Sequence, residues 1–515
     1  MKVCLILIFS IFIITLEDNR YSNRYSEDSY NPNPITKGGK DNFTPIPLSS
    51  SNLLPLNEKE TKSKRSLDSN GFKDFNIFLD LKNFEDEVKK YNLKNKRDLF
   101  VKGMQKAIKT LQSLLKVKLT RNYIFTDANL RKVLIFNWDR TKIGSEIAKE
   151  KGMIDLGIDL YIFVRFGNNS ELGNNALASG GARYTDPYTN QPLLGVVNIN
   201  REGDFTRKNA LHYFEGIIIH VFTHILGFSK SFCINYFHNY FTKIDKYGIE
   251  RAYINSTKVI NVAKNYFKCN EIEGVELENN EEEGASDAHW EARILLGEYM
   301  NGFIYTPEQV ISEFTLALLE DSGYYKAKYY TGGLMQFGKN KGCEFLNSKC
   351  VNKGKINSNF SNEFFSKIKN EIFNIDTSCS SGRQSRAYHF LYKYNDDLPK
   401  VYQHYLNPKI GGHLSSTDYC PVSMQFQTEE DYIYYVGHCS EKGGKTYGSL
   451  IPYKDLGNNI ITYESGDLSP ITGEIQSSNS FCVLSSLILK ILKISKYIQI
   501  HYVLFVIKCI AQINH

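Results

Sequence analysis

Residues 216–230, GIIIHVFTHILGFSK, constrain this chain more than any other stretch. The apolar spacing predicts a helix over residues 209–228, ended by Gly227. Because His220 and His224 are four residues apart, both imidazoles leave one helix face with their Cβ atoms about 5–6 Å apart. Such a pair can bind one zinc ion. The alternative is a half-buried helix whose two histidines are simply hydrogen-bonded.

A third ligand must come from elsewhere, because a catalytic zinc site takes three protein ligands and keeps a fourth position for water. In the compact form of the metalloprotease motif, the third ligand comes six residues after the second His. That residue is Lys230, a cation that cannot be a ligand. Two histidines remain as candidates: His238 in INYFHNYF, and His289 in ASDAHWEARILLGEYMNG.

Two strings, HVFTHILGFS and AHWEARILLGEYMNG, resemble the leishmanolysin family of secreted or surface zinc proteases. LGVVNIN, LLEDSGYYKAKY, MQFGKNKGCEFLNSKC and DYCPV resemble further family segments, so the resemblance extends from about Phe72 to Cys482. It implies an α+β fold: a metzincin-like zincin catalytic domain with a long insertion before the third His, followed by a disulfide-rich mixed C-terminal domain. It also implies one Zn²⁺ per chain, a Met-turn and a sharp turn out of the helix. The residues carried over are His220, His224 and His289 as zinc ligands, Met300 in the Met-turn and Gly227 at the end of the helix.

The chain departs from the family at the general base, the Glu that follows the first His, because that position holds Val221. Valine accepts no proton, and a positioned general base is worth roughly 10²–10⁴-fold in rate. Glu215 is predicted to face away from Val221 on the helix, and Ile217, one turn earlier, is apolar. Glu291 is the first candidate for a substitute base. Residues 17–232 also contain no Cys, so the cysteine that commonly silences family zymogens is missing.

Three functional interpretations follow. We expect a leishmanolysin-like zinc metallopeptidase homologue that binds zinc through three histidines and is catalytically impaired, a pseudoenzyme. The alternative is an active zinc metalloendopeptidase that takes part in proteolysis or cell adhesion. The third is a secreted structural protein whose site holds no metal. Either of the first two implies a peptide or protein as substrate or ligand, whereas the oligomeric state is left open.

The N-terminus indicates the compartment. Met1-Lys2 is followed by an uncharged run, Val3–Leu16, which fits the apolar region of a signal peptide better than a spanning helix of roughly 20 residues. We therefore expect a secreted or cell-surface protein; an N-terminal membrane anchor is the alternative. The apolar tail after Phe481 is interrupted by lysines and is too short in its uncharged pieces to span a bilayer. Attachment to a membrane surface, contact with a partner or a lipid-anchor signal are the options for it.

Charge and cysteine usage complete the picture. The net charge of +6 is small for 515 residues and the lysines are dispersed, so a nucleic-acid partner is excluded. Of ten Cys, nine lie from Cys233 onward, which predicts disulfides in the second half of the chain, with Cys343–Cys350 as a candidate local loop. The predicted domains are 1–16 signal peptide, 17–71 low-complexity or pro-segment, 72–230 catalytic-type subdomain, 231–302 insertion with third His and Met-turn, 303–480 Cys-containing domain and 481–515 apolar tail.

Overall fold

The computed structural model describes part of the chain, so the fold is given by range. The described residues are 67–118, 123, 157–172, 176–203, 205, 210–279, 288–302, 310–329, 335–361, 363–365, 377–379, 386–389 and 391–424, with short strands at 46–47, 451–454 and 460–463. The predicted signal peptide and the whole apolar tail, residues 481–515, lie outside them. The domain boundaries predicted above remain predictions.

The largest sheet has five strands. In chain order the strands of the protein are β1 (Ile46–Pro47), β2 (Phe72–Asp74), β3 (Ile77–Asp80), β4 (Leu115–Lys118), β5 (Leu160–Gly167), β6 (Ala178–Thr185), β7 (Pro192–Asn200), β8 (Tyr240–Ile244), β9 (Glu250–Ile254), β10 (Val275–Glu276), β11 (Tyr325–Ala327), β12 (Thr377–Cys379), β13 (Arg386–His389), β14 (Tyr392–Lys393), β15 (Ile410–Gly411), β16 (Ser423–Met424), β17 (Ile451–Lys454) and β18 (Ile460–Tyr463). The five-stranded sheet has the order β1-β6-β7-β5-β3, in which β6 is antiparallel to β7 and the other pairs are parallel. Every residue of β5 and β7 is buried, as is typical of central strands covered on both faces.

The helices surround this sheet and the segments that follow it. They are α1 (Lys82–Lys90), α2 (Lys94–Leu114), α3 (Asn169–Leu172), α4 (Ala210–Leu226), α5 (Lys230–Phe232), α6 (Thr257–Phe267), α7 (Ala292–Leu295), α8 (Glu313–Asp321) and α9 (Cys343–Asn347), with a π-helical turn at Cys233–Phe237 and 3-10 turns at Ser358–Phe360, Lys400–Tyr402 and Ser415–Thr417. The long helices α2 and α4 pack together through Phe100 and Phe214, whose ring centroids are 4.8 Å apart. The protein is therefore mixed α and β, as predicted.

A second sheet, of order β10-β9-β8, follows α4 in the chain. Its last strand continues into an isolated antiparallel pair between Leu277 and Trp290. A third sheet, β11-β4-β2, joins two strands from the first quarter of the chain with one strand, β11, that follows α8. Residues near 290 therefore lie beside the sheet that follows α4 and the short helical turns after it.

The sequence predicted most of the long elements correctly. The sequence predicts strands at residues 75–81, 159–166 and 193–200, and β3, β5, β7 and α4 fall within one or two residues of these segments and of the helix predicted over residues 209–228. Two boundaries were wrong. The apolar spacing of residues 98–119 predicts one helix, but α2 ends at Leu114, because residues 115–118 pair with β2 and β11. Apolar spacing over residues 307–319 predicts a helix, but the described residues 310–312 are not helical and the helix begins at Glu313, where the Ser312 hydroxyl caps it by accepting from the Phe314 amide.

Two disulfides lie within the described residues, and they correct the sequence prediction. Cys269 pairs with Cys343 and Cys350 pairs with Cys420, so the predicted Cys343–Cys350 loop is wrong. Cys343 begins α9 and Cys350 follows it, and each has a partner roughly 70 residues away that the fold brings close. Cys233 is a buried free thiol, and burial raises its pKa to about 12, so it is an unreactive core residue.

One helical stretch in the described part of the chain, Tyr213–Phe237, is long and apolar enough to cross a membrane by length and composition. In this protein 78% of its most apolar window is buried against other elements. It contains most of α4, so its apolar character is accounted for by packing in the core.

Candidate metal centre

Helix α4 lies close against the main sheet because the facing strand positions are glycines. A Cβ atom on Gly195 of β7 would come within 2.3 Å of the Ile225 side chain. A Cβ on Gly180 of β6 would come within 2.4 Å of Cγ1 of Val221. The missing side chains allow the helix to approach the strands closely, and this fixes the side of α4 that carries Val221 against β6.

His220 and His224 lie on the same helix and are almost fully buried, at 0% and 8% exposed. The Nδ1 atom of His220 is 2.7 Å from the Tyr299 carbonyl, and that of His224 is 2.7 Å from the Phe228 carbonyl. Since a carbonyl oxygen only accepts, each imidazole carries its proton on Nδ1. Both Nε2 atoms therefore present lone pairs.

His289 reaches the same point from a segment more than 60 residues further along the chain. Its carbonyl accepts from the Glu278 amide at 3.0 Å, and the Glu291 amide donates to the Glu276 carbonyl at 3.1 Å. These bonds attach residues 289–291 as an extended segment alongside β10. The π-helical turn, the β8–β9 hairpin and α6 all lie between α4 and this segment in the sequence, yet His289 is buried beside His220.

The three imidazoles converge through their Nε2 atoms. The Nε2 of His220 is 3.0 Å from that of His224 and 3.1 Å from that of His289. Nitrogens bound tetrahedrally to one zinc, each 2.0–2.1 Å from it, are about 3.4 Å apart. The three histidines form one of three clusters of potential metal-binding groups within the described residues. Their separation is close to what a shared metal ion requires.

The chemistry of the donor set also fits a cation. Burial lowers the pKa of His220 well below its usual value and lowers that of His224 to about 3, and the neighbouring imidazoles act in the same direction. Both rings are therefore neutral at physiological pH. Their Nε2 lone pairs face one another, and a soft-to-borderline cation such as Zn²⁺ satisfies all of them at once.

Comparison with known proteins decides the family. The family model for leishmanolysin matches residues 93–513, about four-fifths of the chain. The chain belongs to the leishmanolysin family. This is a family of zinc metallopeptidases, which agrees with the three-histidine cluster. The match also extends over segments on both sides of the cluster, as the sequence resemblance implied.

Individual leishmanolysin relatives match shorter stretches. The leishmanolysin-like peptidase of Drosophila melanogaster is 35% identical over 195 residues, which are 35% of this chain and 28% of that protein. The leishmanolysin homolog of Crithidia fasciculata is 30% identical over 236 residues, 46% of this chain and 34% of that protein. Leishmanolysin of Leishmania major is 25% identical over 294 residues, 55% of this chain and 44% of that protein. The chain thus aligns with less than half the length of each of these relatives.

The position that the sequence resemblance assigns to the general base is apolar in its surroundings as well as in its side chain. Val221 is fully buried, and its methyl groups fill the space above Gly180. Ile217, one turn earlier, is also fully buried in the core. Among the described residues, no carboxylate belongs to the ligand-atom cluster of the three histidines.

The two carboxylates considered as substitutes lie elsewhere. Glu215 accepts a hydrogen bond from Thr110 of α2 at 3.3 Å, on the face of α4 that packs against that helix. Glu291 accepts from the Arg293 amide at 2.8 Å and clusters with Glu276 and Asp418. Burial, together with the charges of Asp418 and Glu276, raises the pKa of Glu291 well above its usual range. Glu291 is therefore part of a buried charge network and is not beside the three imidazoles.

Residues 297–301, which contain the predicted Met-turn residue Met300, lie against α4. Met300 is fully buried, and its carbonyl accepts from the Trp290 amide at 3.0 Å. Tyr299 contacts α4 twice, through its carbonyl to His220 and through its hydroxyl to Thr223 at 2.5 Å. Glu298 accepts from the Met300 amide and from the hydroxyls of Ser312 and Thr315. This turn thus holds one histidine helix and the segment that carries His289 in a fixed relation.

The remaining predicted residues have other positions. Gly227 follows α4 with φ +124°, in the region of backbone space that favours glycine. Lys230 begins the short helix α5, with its Nζ 5.5 Å from the centroid of the Tyr240 ring. His238 has a left-handed backbone and is not in the histidine cluster. Sequence reasoning missed Tyr299, Thr223 and Glu298. Their only signal was proximity to Met300 and to the histidine pair, because residue type alone does not mark a hydrogen-bond partner.

Proposed function

We propose that this chain is a secreted or surface-attached zinc-binding member of the leishmanolysin family in which peptide hydrolysis is strongly impaired. The observation that carries the proposal is the combination of two neighbouring positions on α4. His220 presents its Nε2 to the other two histidines at metal-ligand spacing, whereas Val221 presents only methyl groups packed against Gly180. The metal-binding set is kept and the proton-transfer group is absent.

His220, His224 and His289 would hold one Zn²⁺ per chain. When bound, zinc supplies Lewis acidity and lowers the pKa of water. The protein's part is to fix the imidazoles, and it does so through the Tyr299 and Phe228 carbonyls, which hold the Nδ1 protons. Met300 would underlie the site as the Met-turn residue, and Gly227 would let the chain leave the helix sharply.

Proton transfer is the step that this chain's residues do not support. Peptide hydrolysis requires a group that takes a proton from the attacking water and delivers one to the leaving nitrogen. Val221 can do neither, and Glu215 and Glu291 are committed to contacts elsewhere. With the ligands intact, the chain retains a surface for peptides or proteins without fast turnover.

The second candidate is an active zinc metalloendopeptidase with a role in proteolysis or cell adhesion. The convergence of all three histidines favours it, because a site that had lost its function entirely would not need three fixed imidazoles. In that case the proton would be moved by a group outside the described residues.

Two measurements on the purified, disulfide-bonded chain test the proposal. Elemental analysis after exposure to excess zinc and removal of free metal should give one zinc per chain. Incubation with a broad peptide library should show cleavage far slower than in a variant with a restored Glu. Sub-stoichiometric zinc would refute the metal site, and rapid cleavage by the native chain would favour the active enzyme.

A further inference from the structure

Four buried charged side chains, some of them near the third histidine in the sequence, form a closed ring. Two arginines, Arg251 and Arg293, each pair with the same two carboxylates, Glu276 and Asp418. Arg293 is 2.8 Å from a Glu276 oxygen and 3.2 Å from Oδ2 of Asp418. Arg251 is 3.0 Å from that same Oδ2 and in direct contact with the other Glu276 oxygen. All four side chains are less than 10% exposed, so the charges depend on one another.

Three members of the ring belong to the segments that deliver His289. Arg251 is on β9, Glu276 is in β10, and Arg293 is four residues beyond His289 at the start of α7. Glu276 holds the 289–291 segment in two ways, since its carbonyl accepts from the Glu291 amide and its carboxylate pairs with Arg293. The ring therefore fixes the strand and the helix on either side of the third histidine.

The fourth member comes from a distant part of the chain. Asp418 follows the 3-10 turn at Ser415–Thr417, more than a hundred residues after Arg293 in the sequence. Its position is held from behind: the Asp418 carbonyl lies 2.7 Å from Nε2 of His404, and Cys420 is joined to Cys350 by a disulfide. Asp418 is thus a fixed carboxylate that the C-terminal part of the chain brings into contact with Arg251 and Arg293.

Removing this one carboxylate would leave Glu276 as the carboxylate shared by both guanidinium groups, with Glu291 in the same acidic cluster. Arg251 would keep Asp245 as a second ion-pair partner, whereas Arg293 would keep only Glu276 among the ion pairs of the described residues. Because buried like charges repel strongly, Arg293 would have to move away from Arg251 or draw in water. Arg293 is in the same short segment as His289, so its displacement would alter the backbone that sets the imidazole. His220 and His224 would be unaffected, since they are set by α4 and by the Tyr299 and Phe228 carbonyls.

We propose that Asp418 is a positioning residue for the third metal ligand: through Arg293 and Arg251 it holds the segment that presents His289 to His220 and His224. The C-terminal part of the chain is then a working component of the metal site. The inference rests on the proposed zinc function. It adds a residue that is more than a hundred positions away in the sequence from each of the three histidines.

The test compares Asp418→Asn with Asp245→Asn. Asp245 also pairs with Arg251, at 2.8 Å, but it forms no ion pair with Arg293. Both variants therefore remove one carboxylate charge from Arg251, and only Asp418→Asn also removes one from Arg293. Zinc affinity is measured by competition with a chromophoric chelator on the purified full chain. Loss of partners behind a metal ligand typically weakens metal affinity by about 10–100-fold. We expect a loss of about 10-fold or more for Asp418→Asn and less than about 3-fold for Asp245→Asn.

A second readout separates positioning from general destabilisation. In metal-free protein, hydrogen–deuterium exchange of the peptide containing residues 288–293 should be faster in Asp418→Asn than in the native chain, while the peptide containing His220 and His224 should be unchanged. The Co²⁺-substituted variant should also show a shifted visible absorption band, because that band reports ligand geometry. Unchanged zinc affinity in Asp418→Asn, or equal losses in the two variants, would overturn the proposal.

Two further outcomes are also decisive. If Asp418→Asn does not fold, Arg293→Lys replaces it, because a lysine keeps the charge but cannot contact Glu276 and Asp418 together as a guanidinium does. The same loss of affinity is then expected, and an unchanged zinc affinity in Arg293→Lys would overturn the proposal. If the native chain binds no zinc, the proposed function fails, yet the exchange of residues 288–293 in metal-free protein still shows whether Asp418 holds that segment.

Discussion

Cγ1 of Val221 occupies the place beside Gly180 into which a Cβ atom on that glycine would project, and the two would be 2.4 Å apart. The position after the first histidine is therefore a core contact between α4 and β6. This relationship explains how the apolar side chain at the predicted general-base position is accommodated: the strand residue that faces it, Gly180, has no side chain. The same close packing recurs one strand further in, between Ile225 and Gly195.

Packing between α4 and β7 can be tested by a double-mutant cycle. A Cβ on Gly195 would meet only atoms of Ile225 among its three nearest neighbours, at 2.3–3.0 Å. We expect Gly195→Ala to lower the free energy of unfolding by about 1–3 kcal/mol, as overpacking does. In an Ile225→Ala background the same change should cost less than half as much, as measured by urea denaturation.

Gly180 is the matched control for this cycle. Its added Cβ would also lie 2.7 Å from the Val196 carbonyl, a backbone atom that no side-chain change removes. We therefore expect Val221→Ala to relieve little of the cost of Gly180→Ala. Equal relief at the two glycines would contradict the packing described here.

The three histidines should be separately necessary for metal binding. Replacing His220, His224 or His289 by Ala should reduce bound zinc from one per chain to less than about a tenth under conditions that saturate the native protein, because two imidazoles alone make a weak site. His238→Ala is the control, since His238 is outside the cluster. Full zinc content in His289→Ala would show that His289 is not a zinc ligand.

Much of this arrangement follows from sequence, and the exceptions have physical causes. β5 and β7 were recognisable as continuous apolar runs, and α4 by its helical spacing and terminal Gly227. β6, with the sequence ASGGARYT, gave no strand signal because its glycines serve the close approach of α4 and carry no pattern of their own. The third histidine came from family resemblance, since chain spacing alone left His238 and His289 open.

Long-range pairing was the part that the sequence could not supply. Residues 115–118, LKVK, continue the apolar spacing of α2, yet their pairing with β2 and β11 makes them a strand. Likewise Cys343 and Cys350 are neighbours in sequence, whereas each forms a disulfide with a residue about 70 positions away. Cysteine connectivity depends on tertiary proximity and is not contained in spacing.

The disulfide pairs are open to direct mapping. Proteolysis of the unreduced protein followed by mass spectrometry should recover the linked peptides Cys269–Cys343 and Cys350–Cys420, because the fold places each pair within bonding distance. Cys233 should be alkylated only after denaturation, since it is buried. A linked Cys343–Cys350 peptide would contradict the structure.

Glu298 should make stability depend on pH. Burial raises its pKa from 4.5 to about 7, against the hydrogen bonds from Ser312, Thr315 and Met300 that favour the ionised form. A raised folded-state pKa contributes stability that is complete below about pH 4.5 and is lost as pH rises through about 7.

The measurement is the difference in free energy of unfolding between native protein and Glu298→Gln, which does not titrate. With a chelator present to remove metal binding, this difference should fall by up to about 3 kcal/mol between pH 4.5 and pH 8, at about 1.4 kcal/mol per pKa unit. A difference that stays constant or rises over this interval would show that Glu298 is ionised in the folded protein throughout.

The central claim, that the metal-binding set is intact and the general base is lost, is tested most directly by single-turnover peptide cleavage in Val221→Glu, with Val221→Gln as the control of equal size and no basicity. Zinc content and folding are checked in all three proteins first. The account predicts that Val221→Glu cleaves about 10²-fold faster than the native chain or more, that Val221→Gln remains at the native rate, and that zinc content is the same in each. A native chain that already cleaves as fast as Val221→Glu would contradict it.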